Sequence, residues 1–275
     1  MTITANEVNK LRQKTGAGMM DCKKALIESE GNFEAAIDIL RKRGQKVSVA
    51  RADKEDSEGA VFIRTNTNAT EGIILAVNCE TDFVARNREF IKSGEIIADA
   101  AHEKNPDSIE KLLELSVDNK SVSEYLTDLM GKIGEKVYIS ALQKVKGEKV
   151  VGYVHTNAKL GVLVALKGIN SVDTTEVGKD VALQIASMNP IAVDKDDIDS
   201  KIIEKEIEIG KEQAKAEGKP DDLQEKIARG KLNKFYQDNT LLNQKFVKDP
   251  SKTVAQLLDS VQKGLTVSGF KRVAI

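Results

Sequence analysis

The chain has 275 residues, 40% of them hydrophobic, with 42 Lys and Arg against 43 Asp and Glu and a formal net charge of -1. That length exceeds what one small core fills, so two or three domains are expected; the balanced charge lacks the basic surplus that drives binding to a phosphate backbone, which argues against nucleic acid as a direct partner. Cys22 and Cys79 are too few for a disulfide framework or a thiolate zinc site, and neither a signal peptide nor a run of ~18 apolar residues is present, so a reduced, cytoplasmic protein without membrane contact is expected.

Residues 1–51 read as three short helices. Thr4 followed by Glu7 is a capping box, each side chain meeting an orphan backbone donor of the other residue, and Val8 and Leu11 then give an apolar stripe. Gly16-Ala17-Gly18 breaks the pattern. A second helix over 19–29 places Cys22, Ala25 and Leu26 inward, with Gly31 as its stop. Asn32 caps a third, in which Phe33, Ala36, Ile37 and Leu40 recur at helical spacing until Gly44. Three helices in so few residues make a small recognition module.

Residues 51–59 are charged and lack bulky apolar side chains, as a linker does. Two similar halves follow, expected as domains over 52–146 and 147–275. Residues 59–66 and 72–77 form one hairpin pattern, and residues 150–157 and 161–166 form another. Each hairpin precedes a helix, over 88–102 and 178–188, and each helix precedes a proline, Pro106 or Pro190. Ser121 with Glu124 opens another capped helix carrying Tyr125, Leu126 and Leu129, and 137–145 returns as strand. The fold class is therefore α+β, a three-helix module followed by a duplicated strand-strand-helix core.

Inserted in the second half, residues 196–235 are helical and highly charged. Ile203, Ile207 and Ala214 face Leu223, Ile227 and Lys234 or Phe235 across a Gly218-Lys219-Pro220 turn, which predicts an antiparallel helical hairpin zipped like a short coiled coil. A C-terminal module over 249–275 adds a helix over 251–261 and a strand over 267–274.

Catalytic motifs are absent. His102 and His155 are the only histidines, so no His-rich metal site exists and no metal or cofactor is expected. Gly16-x-Gly18 has Asp21 where a dinucleotide fingerprint requires a third glycine. The Gly-Lys pairs at Gly131, Gly178, Gly210, Gly218 and Gly230 lack the earlier glycine of a phosphate loop. A thiol enzyme built on Cys22 or Cys79 would need a base nearby to lower the thiol pKa, and nothing in the sequence brings His155 to either.

The most informative stretch is Asn78-Cys79-Glu80-Thr81-Asp82-Phe83-Val84-Ala85-Arg86. Aromatics are 4% of the chain, yet Phe83 stands beside a carboxylate in a strand-to-helix connection. A rigid ring on a turn is how a binding anchor looks. The other reading, in which Phe83 folds back onto its own domain, stays open at this stage.

Leu11-Arg12 and Thr15-Gly16-Ala17-Gly18-Met19-Met20-Asp21-Cys22-Lys23-Lys24-Ala25-Leu26 resemble the amino-terminal signature of the bacterial elongation factor Ts family, and Val77-Asn78-Cys79-Glu80-Thr81-Asp82-Phe83-Val84 resembles its second signature. Lys132-Ile133-Gly134-Glu135, the His155 hairpin ending in Gly161-Val162-Leu163, the helical insertion and Pro250-Ser251-Lys252-Thr253-Val254 follow in the family's order. The likeness spans essentially the whole chain. Ala76 stands where the family commonly has an acidic residue, and Lys159-Leu160 replaces a frequent Arg-Ile. The resemblance implies a guanine-nucleotide exchange factor for the GTPase elongation factor Tu, with no bond-making chemistry and no catalytic residues. It implies a first module like a ubiquitin-associated (UBA-like) domain. Thr81, Asp82, Phe83 and Val84 would act as a wedge that dislocates the partner's magnesium ion. Leu11, Arg12, Met19 and Met20 would contact the GTPase domain, with Ile133, Gly134 and His155 as lesser contacts, and the tail would touch a second part of the partner. Whether the chain forms a homodimer or a 2:2 complex with its partner stays open.

Overall fold

The fold is taken from a computed structural model that describes residues 3–15, 17–50, 58–170 and 172–275. It is a mixed α and β structure with several small antiparallel sheets. Of the predicted breaker and linker, Gly16 and residues 51–57 lie outside the described residues.

Helix α1 (Ala5–Thr15) starts on the expected capping box: the Thr4 N–H donates to the Glu7 carboxylate at 2.8 Å, and the Thr4 hydroxyl accepts from the Glu7 N–H. The Thr4 backbone and then its hydroxyl hold the Glu7 carboxyl below its ordinary range. After α2 (Met19–Glu28), Glu30 and Gly31 turn left-handed and the Gly31 N–H returns to the Leu26 carbonyl, a helix stop that suits glycine. Asn32 caps α3 (Phe33–Ala50) by accepting from the Glu34 and Ala35 N–H groups. The expected stop at Gly44 is corrected: α3 continues to Ala50. A glycine inside a helix costs only ~1 kcal/mol, and residues 45–50 contain no proline to end the ladder. Val8, Leu11, Cys22, Ala25, Leu26 and Ala36 make this module's core.

The first half of the body runs β1 (Glu58–Thr65), β2 (Glu71–Cys79), α4 (Asp82–Ala85), α5 (Arg88–Lys104), α6 (Ile109–Glu114), the short strands β3 (Ser116–Val117) and β4 (Lys120–Ser121), α7 (Val122–Ile133) and β5 (Val137–Lys146). The α7 capping box of Ser121 with Glu124 is present. The sheet order is β1-β2-β5, antiparallel throughout. The second half runs β6 (Lys149–Val154), β7 (Leu160–Lys167), α8 (Thr175–Met188), α9 (Ser200–Ala216), α10 (Asp221–Asn239), β8 (Lys245–Phe246), β9 (Asp249–Thr253), α11 (Val254–Val261) and β10 (Thr266–Ala274), with β7 central between β6 and β10. In each half a hairpin is followed by a helix, and a later strand joins the hairpin's second strand. The tail helix starts at Val254, not at residue 251: Ser251 belongs to β9, because Thr253 with Gln256 forms the capping box that fixes the start.

The two sheets face each other. Val61, Ile74, Ala76, Val150, Leu163 and Ala165 pack between them, while Phe62, Leu75 and Val77 face α5 on the other side and Val151, Val162 and Val164 share the core with α8. Strands covered on both faces read as unbroken apolar runs, which is why 72–77 and 161–166 lack alternation. Each helix crosses its sheet at a glycine. A Cβ on Gly94 of α5 would lie 2.1 Å from Cζ of Phe62, and one on Gly178 of α8 would lie 2.6 Å from Cγ2 of Val151. Because the Phe62 ring is buried and cannot move cheaply, Gly94→Ala is expected to destabilise the protein by about 1 to 3 kcal/mol despite alanine's better helix propensity. Thermal melts of Gly94→Ala and of Gly94→Ala with Phe62→Leu check this. The second substitution should restore part of the loss, and an unchanged melt for the single variant would show that the ring gives way freely.

Helices α9 and α10 pack along each other as the predicted arm, turning at Gly218 in the left-handed region. The seam is made by small residues, with Ala214 and Ala228 fully buried and a Cβ on Gly210 only 3.0 Å from Cα of Ala228. This corrects two expected positions. Leu223 is exposed near the tip, and Lys234 is exposed while Phe235 is half-buried, since Phe235 falls two full turns from Ala228 and Lys234 does not. At the root, the Ile191 N–H donates to the Asn239 carbonyl, and the Leu241 and Leu242 N–H groups donate to the Ala192 and Val193 carbonyls. All of these lie outside 201–234. Deleting residues 201–234 with a short closing loop is therefore expected to leave a cooperative thermal transition, and a chain that no longer melts cooperatively would refute the arm's independence. Among the described residues no helix is long and apolar enough to cross a membrane.

Candidate functional site

The chain leaves β2 through Glu80 and Thr81 and turns twice before α5. Thr81 caps the single turn α4, its hydroxyl accepting from the Val84 N–H at 3.4 Å, and Asn87 then caps α5 by accepting from the Glu89 N–H at 2.8 Å. Between these caps residues 82–86 form a knuckle. Neighbouring residues on a helix diverge by about 100°, so a turn that buries one cannot bury the next in the same direction. Here Val84 is packed into the core of the first half, and Phe83 is 82% exposed. Phe83 is the one exposed ring among the seven phenylalanines. The reading in which it folds back onto its own domain is thereby overturned. Beside it Asp82 pairs with Arg86 at 3.2 Å.

Ile133 ends α7 and Gly134 caps it in the left-handed region, φ 81°, with its N–H on the Met130 carbonyl. The next residue, Glu135, accepts from both the N–H and the hydroxyl of Thr81, at 3.1 and 2.7 Å. Ile133 and Gly134 are thus brought beside the knuckle from far along the chain. His155 is exposed on the β6–β7 turn, its Nδ1 2.8 Å from the Tyr153 hydroxyl. That turn is tied to β1, since the Ala158 carbonyl accepts from the Val61 N–H at 2.7 Å and Lys159 pairs with Glu58 at 2.6 Å. Its residues Thr156, Asn157, Ala158 and Lys159 face Asp82, Ala85 and Arg86 across a cleft.

The remaining expected contacts lie on the first module, whose α3 packs against α7. Met19 and Met20 are 52% and 62% exposed at the start of α2, and Arg12 is exposed on α1. Leu11 is different. It is wholly buried in the module's core, so it supports the surface instead of presenting itself there.

Cys22 and Cys79 are both buried, and the Cys79 thiol donates to the Thr81 carbonyl at 3.3 Å. Among the described residues no group of three or more His, Cys, Asp or Glu is arranged to hold a metal ion. The arrangement is an exposed surface with one protruding ring. Glu80, Glu135 and Tyr153, which fix the knuckle and the histidine, were missed by sequence reasoning. A carboxylate after a helix-capping glycine carries no periodic signal, and only the pairing of β2 with β5 places Glu135 at Thr81.

Comparison with known proteins agrees with the sequence resemblance. The family profile described as Elongation factor TS matches residues 80–275, from the first residue of the knuckle's approach to the end of the chain. An Elongation factor Ts of Cytophaga hutchinsonii is 57% identical over 100% of this chain and 99% of its own length. The protein of the same name from Amoebophilus asiaticus is 50% identical over 100% and 99%, and that of Christiangramia forsetii is 47% identical over 99% and 98%.

Proposed function

The chain belongs to the elongation factor Ts family, and on that premise we propose that it is a cytoplasmic guanine-nucleotide exchange factor that binds elongation factor Tu with GDP and promotes replacement of GDP by GTP. The observation that carries the reading is Phe83, an exposed ring on a one-turn helix whose neighbour Val84 is anchored in the core. The ring enters the partner near its nucleotide site while the Asp82 carboxylate disturbs the magnesium ion bound there. Ile133, Gly134 and His155 rest on the partner around the wedge. Arg12, Met19 and Met20, with Leu11 packed beneath them, dock a UBA-like first module over 1–51 on the GTPase domain. Polarizable, unbranched methionines suit such a surface. The duplicated core over 52–146 and 147–275 serves as the frame, and the module over 249–275 reaches a second part of the partner.

The physical logic is linkage. If the factor weakens GDP binding by some ratio, GDP weakens factor binding by the same ratio, and exchange passes through the unstable ternary complex. Burying the Phe83 ring, ~150 to 250 Å² at ~25 cal/mol/Å², contributes at most about 4 to 6 kcal/mol. At ~1.4 kcal/mol per decade this limits the ring to roughly 10³- to 10⁴-fold, so a larger acceleration requires the surrounding contacts. No bond is made or broken.

The test is stopped-flow release of a fluorescent GDP analogue from elongation factor Tu with and without the factor, and unchanged release at saturating factor would end the proposal. The chain by itself is expected neither to bind nor to hydrolyse GTP, because it has no phosphate-loop motif. Micromolar nucleotide binding by calorimetry, without any partner, would contradict this.

A further inference from the structure

Backbone pairing of β2 with β5 ends at Cys79 opposite Val137, and beyond it the chains part, one into α4 and one back to the end of α7. Two carboxylates carry the pairing further. Glu80 accepts from the Lys136 N–H at 2.8 Å, and Glu135 accepts from the Thr81 N–H and hydroxyl. Each acid stands in for the backbone carbonyl that a continued ladder would supply. The Thr81 hydroxyl donates to Glu135 and at the same time accepts from the Val84 N–H. The direction of α4, and hence the direction in which Phe83 leaves the surface, follows from where Glu135 holds that one oxygen.

A four-residue turn has no stability of its own, because helix nucleation is unfavourable until several bonds form. The exposed Asp82–Arg86 pair adds little. We propose that Glu135 is a positioning residue, whose carboxylate orders the Thr81 turn so that Phe83 is presented preformed to the partner. The inference rests on the exchange-factor reading above and deepens it. The carboxylate offers an acceptor to both the Thr81 N–H and its hydroxyl. Glutamine, equal in size, keeps one acceptor, so the hydroxyl gives up its donor role towards residue 135 and meets a neutral N–H instead. Charge-assisted bonds to an ionised oxygen are also about twice as strong as neutral ones. Ordering before contact lowers the cost of insertion.

The test uses the full chain with Glu135→Gln, Thr81→Ser and Thr81→Val. Glu135→Gln and Thr81→Val are each expected to lower the maximal GDP release rate at saturating factor by roughly five- to twentyfold, with the half-saturating concentration and the melting temperature little changed. Thr81→Ser keeps the hydroxyl and should lose less of the release rate and of the amide protection at residues 81–86 than Thr81→Val. Hydrogen exchange read by mass spectrometry should speed up at residues 81–86 in Glu135→Gln and stay unchanged along β2 and β5. Combining Glu135→Gln with Thr81→Val should cost less than the sum of the two single losses, since both remove the bond between the hydroxyl and Glu135. Parental release and parental protection in Glu135→Gln would overturn the proposal. So would faster exchange throughout the domain, which would mark a merely structural role. If the parent chain itself fails to accelerate release, the exchange-factor reading fails, and the amide protection at 81–86 still decides whether Glu135 orders the turn.

Discussion

Phe83→Ala is expected to slow factor-promoted GDP release from elongation factor Tu by at least about tenfold, the loss of ~1.4 kcal/mol of a contact worth several times that at its upper limit. The factor's melting temperature should stay within about 2 °C of the parent, since substitutions at exposed positions usually change stability by less than ~0.5 kcal/mol. The asymmetry follows from burial. The ring is 82% exposed in the free chain, so it contributes little to the monomer, and on the proposed reading its burial comes only in the complex. Asp82→Ala should also slow release, but less, if its partly exposed charge acts as proposed on the partner's magnesium ion, through screened electrostatics. Stopped-flow release and a thermal melt on the same preparations decide the matter. A destabilised Phe83→Ala whose folded fraction releases GDP at the parental rate would remove the wedge from the mechanism.

Much of this arrangement was legible in the sequence, and what was not has physical reasons. Helix starts were readable because caps are local: Thr4 with Glu7, Ser121 with Glu124 and Asn32 all make the bonds their spacing predicts. The strands were readable from their apolar runs. Helix ends were less so, since Gly44 looks like a stop but a glycine halts a helix only where the next residues leave the ladder. In the arm, reading large apolar residues as the seam misplaced Leu223 and Lys234, because close helix packing is set by the small residues Gly210, Ala214 and Ala228. At the site, the motif around Phe83 was visible but the direction of the ring was not. Direction depends on Val84 meeting the core of the first half and on Thr81 meeting Glu135, 54 residues further on, contacts that leave no periodic trace.

Phe90→Ala is expected to do the reverse of Phe83→Ala, and the pair forms a matched test within one short stretch of chain. Phe90 sits in the first turn of α5, fully buried, in the same core that receives Val84. Truncating a buried phenylalanine typically costs about 3 to 5 kcal/mol, the lost transfer free energy plus the cavity left behind. For a domain of this size each kcal/mol moves the melting temperature by ~2 to 4 °C, so a fall of roughly 6 to 20 °C is expected. Release of GDP per folded molecule, measured well below the new transition, should remain much closer to the parent than in Phe83→Ala, because Phe83, Thr81 and Glu135 are untouched. A small cavity under α5 also gives Val84 room to shift, so hydrogen exchange at residues 82–86 should rise modestly. If Phe90→Ala melted like the parent, the core assigned to the first half would be wrong, and with it the anchoring of Val84 that sets Phe83 facing outward.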